Sequence, residues 1–191
     1  MLLTRSIKVV MMGEVGVGKT SVATRLVRDQ FCDFQDSTIG AAFFHLERDD
    51  TRVEIWDTAG QERYRSLVPM YVRGAGVLVL VVDVKDPRTL TTLMEPWRDM
   101  LPHDCEVVVV RNKADLLKGA APAEFVDDAQ ELSIEPILAS AKTGEGCEEL
   151  LSVIISLAKP IVGPTGGVAS IETGGRSSGV FRDRAACCSL Q

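Results

Sequence analysis

The sequence contains no run of about 20 apolar residues, so nothing in it reads as a membrane-spanning helix. It also lacks a basic excess. Its 21 Lys and Arg stand against 27 Asp and Glu, a formal net charge of −6. Non-specific contact with nucleic-acid phosphates needs a cationic footprint, so the charge disfavours that class of function. An anionic membrane is likewise no obvious target for the domain surface. The five cysteines lack metal-ligand spacing. Cys32, Cys105 and Cys147 are isolated, and a bridge between the adjacent Cys187 and Cys188 would be strained. This disfavours a disulfide scaffold and points to a reducing compartment. Internal repeats are absent. No secretory leader is expected either: Met1 to Gly13 is apolar but carries Arg5 and Lys8 and runs straight into a glycine loop, as a buried strand would.

What is present is an alternation of strand and helix patterns in a chain of 191 residues with 46% hydrophobic content, enough for one core. Ile7–Met12, Val77–Val84 and Glu106–Val110 are β-branched-rich runs that read as strands buried on both faces. Ile137–Ala139 is a shorter one. Helical patterns lie at about 19–30, 88–101, 123–132 and 145–158, with Pro96 expected to kink or interrupt the second. The alternation predicts a doubly wound α/β sheet. Ala41–Glu47 and Arg52–Asp57, joined by a short polar turn, read as a hairpin and supply one antiparallel edge strand. From residue 160 the chain is rich in Gly, Pro, Ser and Thr, so 1–159 is expected to form the domain and 160–191 a flexible tail.

Gly13-Glu14-Val15-Gly16-Val17-Gly18-Lys19-Thr20 fits the pattern GxxxxGK[ST], between a predicted strand and a predicted helix that continues with Ser21. Glycines let backbone N–H groups turn inward around phosphates. Lys19 brings a cation to the same oxygens, the Thr20 hydroxyl can ligate Mg²⁺, and the helix N-terminus adds its dipole. This motif specifies a nucleotide triphosphatase or a kinase, not a base. Asn112-Lys113-Ala114-Asp115 supplies the base preference. Guanine presents N1–H and N2–H₂ donors side by side, and one carboxylate, Asp115, can accept from both; adenine would leave a buried acceptor unpaired. Ser140-Ala141-Lys142 follows the next strand and can close the pocket from the other side. Asp57-Thr58-Ala59-Gly60-Gln61 ends a strand, where a carboxylate can reach the magnesium site and the Gly60 N–H can sense a γ-phosphate.

Together these motifs resemble the Ras superfamily over about residues 6–159. Ser37-Thr38-Ile39-Gly40-Ala41-Ala42-Phe43-Phe44 and the string from Trp56 to Ala75 resemble the Rab family, particularly its early-endosomal branch. The resemblance implies a G domain: a six-stranded, mostly parallel sheet with one antiparallel edge strand and about five flanking helices. It implies a switch that binds GTP or GDP with Mg²⁺ and hydrolyses GTP. Thr38 is then a switch I ligand of magnesium alongside Thr20 and Asp57, and Gln61 orients the attacking water. Phe31 packs against guanine, unless it is ordinary core. Lys113 lies over the base, and the Ala141 backbone meets guanine O6. Switch I is expected near 33–42 and switch II near 58–74, ordered by the γ-phosphate.

Strand alternation independently puts Phe43 and Trp56 on one, more exposed face of the hairpin. Exposed aromatics between two switches suggest a binding surface, unless helix or tail residues cover them. The resemblance makes Ile39, Phe43, Trp56 and Tyr71 effector-binding residues. It also implies an exchange factor, a GTPase-activating protein, a GDP-dissociation inhibitor, an escort protein and a monomeric G domain. Cys187 and Cys188 resemble a double-prenylation site, with unmodified surface cysteines as the alternative; Cys188–Gln191 also loosely reads as a CaaX box. Prenyl groups there imply the cytoplasmic face of intracellular membranes, endosomal ones, with cycling through the cytosol.

Val15 departs from the family pattern, which tolerates glycine or a small residue there. A β-branched side chain can displace Gln61 or block an arginine finger, unless the loop adjusts and nothing changes. Two other readings follow: a GTP-loaded binding module with negligible turnover, which the intact Gln61 opposes, and a nucleotide or metabolite kinase, which NKAD and DTAGQ oppose.

Overall fold

The computed structural model describes residues 4–86, 88, 92, 94–100, 102, 104–118 and 135–160. Its strands are β1 (Arg5–Met12), β2 (Ala41–Arg48), β3 (Thr51–Thr58), β4 (Val77–Asp83), β5 (Glu106–Asn112), β6 (Ile137–Leu138) and β7 (Lys159–Pro160). The α-helices are α1 (Lys19–Arg28), α2 (Val68–Val72) and α3 (Cys147–Ser156), with 3₁₀ turns at Glu62–Leu67, Glu95–Met100 and Ala114–Leu117.

The main sheet runs β2-β3-β1-β4-β5-β6. All its pairings are parallel except β2 with β3, as the polar turn between two alternating runs requires. The sequence did not foretell β7. It pairs antiparallel with Arg5–Ser6 of β1. That stretch is free on its β4 side because β4 meets β1 only over Val9–Met12. Within the predicted helix at 88–101, Thr92 and Met94 are α-helical and Glu95–Met100 is a 3₁₀ turn, in line with the Pro96 interruption. The predicted helix at 123–132, and the tail beyond Pro160, lie outside the described residues.

Period-2 alternation of β1 feeds two cores. Ile7, Val9 and Met11 pack with Val22 of α1 and with Leu150 and Ile154 of α3. Val10 and Met12 face the other way, onto Val68 and Val72 of α2 and onto Trp97. β4 is buried on both faces, which explains its unbroken apolar run. Full burial of each such side chain favours folding by about 1.5–3 kcal/mol. This rigid sheet brings the loops after β1, β3, β5 and β6 to one edge. β1 and β4 are neighbours from which the chain proceeds to opposite sides, the place where open α/β sheets bind ligands.

Candidate functional site

The glycine loop fills the gap between β1 and α1. Gly18, the N-cap of α1, sits in the left-handed region at φ 94, which a side chain disfavours. A Cβ there would stand 2.4 Å from Asn112 Nδ2. The helix start has no side-chain cap, so its first N–H groups remain available to an anion. Lys19 is buried, and its Nζ donates to the carbonyls of Gly13 at 3.0 Å and Glu14 at 2.8 Å. Burial lowers its pKa, and the charges of Asp57 and Glu14 oppose that shift. The ammonium is thus folded over its own loop.

Asp57 is fully buried near the end of β3. Its Oδ2 accepts from Thr20 Oγ1 at 2.6 Å and from Thr38 Oγ1 at 3.3 Å, and the two hydroxyls lie 2.8 Å apart. Its Oδ1 is buried with no hydrogen-bond partner among the described residues. Burial raises the carboxyl pKa; the Thr20 hydroxyl and the Lys19 charge work against that. An orphaned carboxylate oxygen beside two convergent hydroxyls is a donor set for a hard divalent cation, so the residues fit magnesium.

At the other end of the cavity, Asn112 cross-links two loops. Its Nδ2 donates to Val17 O at 2.9 Å, and its Oδ1 accepts the Ala141 N–H at 3.0 Å. The Ala141 amide expected at guanine O6 is therefore engaged with Asn112. Asp115 Oδ1 accepts from Ser140 Oγ at 2.6 Å. Ser140 is fully buried, so it orients Asp115 from behind rather than walling the cavity. Lys113 Nζ pairs with Asp83 at 2.8 Å, which stretches its stem along the cavity wall. Lys142 Nζ lies 5.8 Å from the centre of the Phe31 ring and pairs with Asp33 at 3.1 Å. Phe31 both lines the cavity and packs on the core.

These segments line one cavity of about 420 Å³, a small-ligand size. Val15, Gly16, Gly18, Lys19, Thr20, Ser21, Phe31 and Thr38 line it, with Gly60, Gln61, Asn112, Lys113, Asp115, Ala141 and Lys142. Gly13, Glu14 and Val17 do not. Gly13 backs onto the Val81 carbonyl, Val17 packs into the core, and the Glu14 side chain turns outward. Gly60 approaches the loop so closely that a Cβ would lie 2.6 Å from the Glu14 carbonyl and from Lys19 Nζ. Val15 is 56% exposed and lines the cavity, as does Gln61.

Outside the cavity, Phe43 pairs with Trp56 across the hairpin, their ring centroids 5.3 Å apart, and Tyr71 lies 5.9 Å from Trp56. Phe43 is 48% exposed and Ile39 80%. Cys187 and Cys188 lie outside the described residues.

Two arginines of the site belong to no motif and escaped the sequence reading. Arg88 grips the Glu14 carboxylate with both Nη atoms at 2.7 Å and holds that carboxyl below its usual range. Arg25 bonds the backbone of Ala141 and Lys142. Both contacts span long sequence separations, which spacing does not reveal.

Residues 8–159 match the Ras family. The Ras-related protein RABF2a of Arabidopsis thaliana is 40% identical over 175 residues, covering 84% of this chain and 86% of the relative. The GTP-binding protein ypt5 of Schizosaccharomyces pombe is 37% identical over 164 residues, 80% of this chain and 78% of the relative. The Ras-related protein Rab-5A of Dictyostelium discoideum is 39% identical over 153 residues, 75% and 76% respectively.

Proposed function

The chain belongs to the Ras family, among the Rab proteins of the early-endosomal type, and from that premise we propose that it is a magnesium-dependent GTP–GDP switch acting in endosomal traffic. The observation that carries this reading is the shared cavity, lined both by Val15, Gly16, Gly18, Lys19 and Thr20 of the phosphate-type loop and by Asp115.

In this reading Lys19 leaves the Gly13 and Glu14 carbonyls for the β- and γ-phosphates, where it remains a cation in a site that disfavours water. Asp115, held by Ser140, accepts from guanine N1–H and N2–H₂. Asp57, Thr20 and Thr38 hold magnesium, which neutralises charge on the phosphate oxygens when bound. Gln61 orients the attacking water, and Gly60 meets the γ-phosphate through its N–H. Loss of that phosphate frees Thr38 and Gly60, so both switch loops change. Ile39, Phe43, Trp56 and Tyr71 form the surface that reads the change. Prenyl groups on Cys187 and Cys188 attach the protein to membrane, a modification that mass spectrometry of native material would detect.

Displacement of fluorescent GDP tests the nucleotide. GTP should compete at equimolar levels and ATP should fail at a hundredfold excess; effective competition by ATP would overturn the reading.

One observation favours a second reading, a GTP-loaded binding module with negligible turnover. Val15 stands exposed among the residues that line the cavity with Gln61. An arginine finger contributes about 10³–10⁵-fold in rate, and a branched side chain there obstructs it. Single-turnover hydrolysis by wild type and Val15→Gly, with and without an activating protein, separates the readings. Equal rates for the two proteins would remove the role of Val15.

A further inference from the structure

The loop at residues 140–142 is held from two sides, and only the Asn112 side belongs to the cavity motifs. On the far side stands Arg25 of α1. Its Nε donates to Ala141 O at 2.8 Å and its Nη2 to Lys142 O at 3.0 Å. The remaining Nη1 donates to both the carbonyl and the carboxylate of Asp29, each at 2.9 Å. Asp29 is itself fixed as the left-handed C-cap of α1, at φ 52. The Arg25 side chain is only 14% exposed. A guanidinium carries its donors in one rigid plane. With one corner anchored to Asp29, the other two set the orientation of two successive carbonyls.

We propose that Arg25 is a positioning residue for base recognition. Through the carbonyls of Ala141 and Lys142 it fixes the loop whose amide meets the purine edge. It also makes α1 a strut between the two ends of the nucleotide. Lys19, at the start of this helix, serves the phosphates; Arg25, six residues on, lies about 9 Å along the axis and serves the base. The proposal rests on the guanine-nucleotide reading.

The test uses the full chain loaded with fluorescent GDP and magnesium, as wild type, Arg25→Gln and Arg25→Lys. Lysine keeps the charge but offers one point donor, so it can serve one carbonyl and not two in a fixed plane. The two loop contacts together should slow GDP release by roughly 10–100-fold. Arg25→Gln should lose that factor and Arg25→Lys an intermediate part of it. The second readout is base-specific. The diphosphate of 2-aminopurine riboside keeps the 2-amino group and lacks both O6 and the N1 proton; the N1 loss at Asp115 is common to wild type and variants and cancels when their preferences are compared. The preference of wild type for GDP over this analogue should shrink by about 10-fold in both variants. A merely structural role would weaken both ligands equally, leave the preference unchanged and lower the melting temperature.

An unchanged preference, or GDP release within about twofold of wild type, overturns the proposal. Should Arg25→Gln fail to fold, Arg25→Lys decides alone on the same two readouts. A wild type that takes up no GDP overturns the nucleotide reading and this proposal with it. A wild type that binds, with variants that match it, overturns only the proposal.

Discussion

Gly18→Ala is the substitution that strikes both ends of the site at once. The new Cβ would stand 2.4 Å from Asn112 Nδ2, and the backbone sits at φ 94. The left-handed conformation costs an alanine about 1–2 kcal/mol. The overlap forces Asn112 to retreat by about 1 Å, an overpacking worth about 1–3 kcal/mol. Asn112 then strains its bonds to Val17 O and to the Ala141 N–H, 2.9 and 3.0 Å long. Together the loss of stability should be about 2–5 kcal/mol, with faster release of nucleotide. Gly16→Ala is the matched control: Gly16 has φ +81, but nothing lies within 4 Å of its Cβ position. It should cost only the backbone part, about 1–2 kcal/mol. Urea unfolding of the nucleotide-free proteins gives the difference between the two variants, expected at about 1–3 kcal/mol. Equal destabilisation by both would show that the Gly18–Asn112 contact carries no energy and would refute the coupling of the phosphate loop to the base loop.

Asp115→Ala removes the carboxylate and leaves the Ser140 O–H without its acceptor, while the Ser140 oxygen keeps the Thr143 N–H; GTP affinity should fall by at least about 100-fold while that for ATP barely changes, as read by competition titration. Burial places the Asp57 pKa above the ordinary carboxylate value, so in metal-free protein the folded state takes up that proton first, and this group's contribution to stability rises as pH falls through its folded value. Magnesium selects the charged form, so the melting-temperature gain it gives should shrink as pH falls through the raised folded pKa of Asp57 and be small at every pH in Asp57→Asn; a gain independent of pH in wild type would contradict the assignment. Arg5 donates to the carbonyls of Ile155, Ser156 and Ala158 at the end of α3; Arg5→Ala should cost about 1–2 kcal/mol in urea unfolding and leave GDP release unchanged.

Much of the fold was legible because its signals are local. The β4 run VLVLVVD is buried along its length, and such runs need no partner to be recognised. A polar turn and period-2 alternation put Phe43 and Trp56 on one face of the hairpin, and the structure adds the register that pairs them. The phosphate loop was legible because its chemistry requires glycines at fixed steps. The seventh strand was not: two residues carry no periodicity, and its existence depends on how far β1 extends past β4. The inner support of the site was hidden for a related reason. Arg25 reaches a loop more than 100 residues away, and Arg88 reaches Glu14 across 74. An arginine on a helix or in a loop looks like ordinary solvated charge until folding brings carbonyls or a carboxylate to it. The motif residues themselves shifted in detail: Ser140 supports Asp115, and the Ala141 amide is held by Asn112.

The central claim is that one cavity takes a purine at Asp115 and its phosphates at Gly13–Thr20. The most direct measurement is to denature the freshly purified full chain and identify the released small molecule by ion-pair chromatography. One equivalent of GDP or GTP per chain is expected. Adenine nucleotide in its place, or a protein that carries none and cannot be loaded with guanosine nucleotide in magnesium buffer, would contradict it.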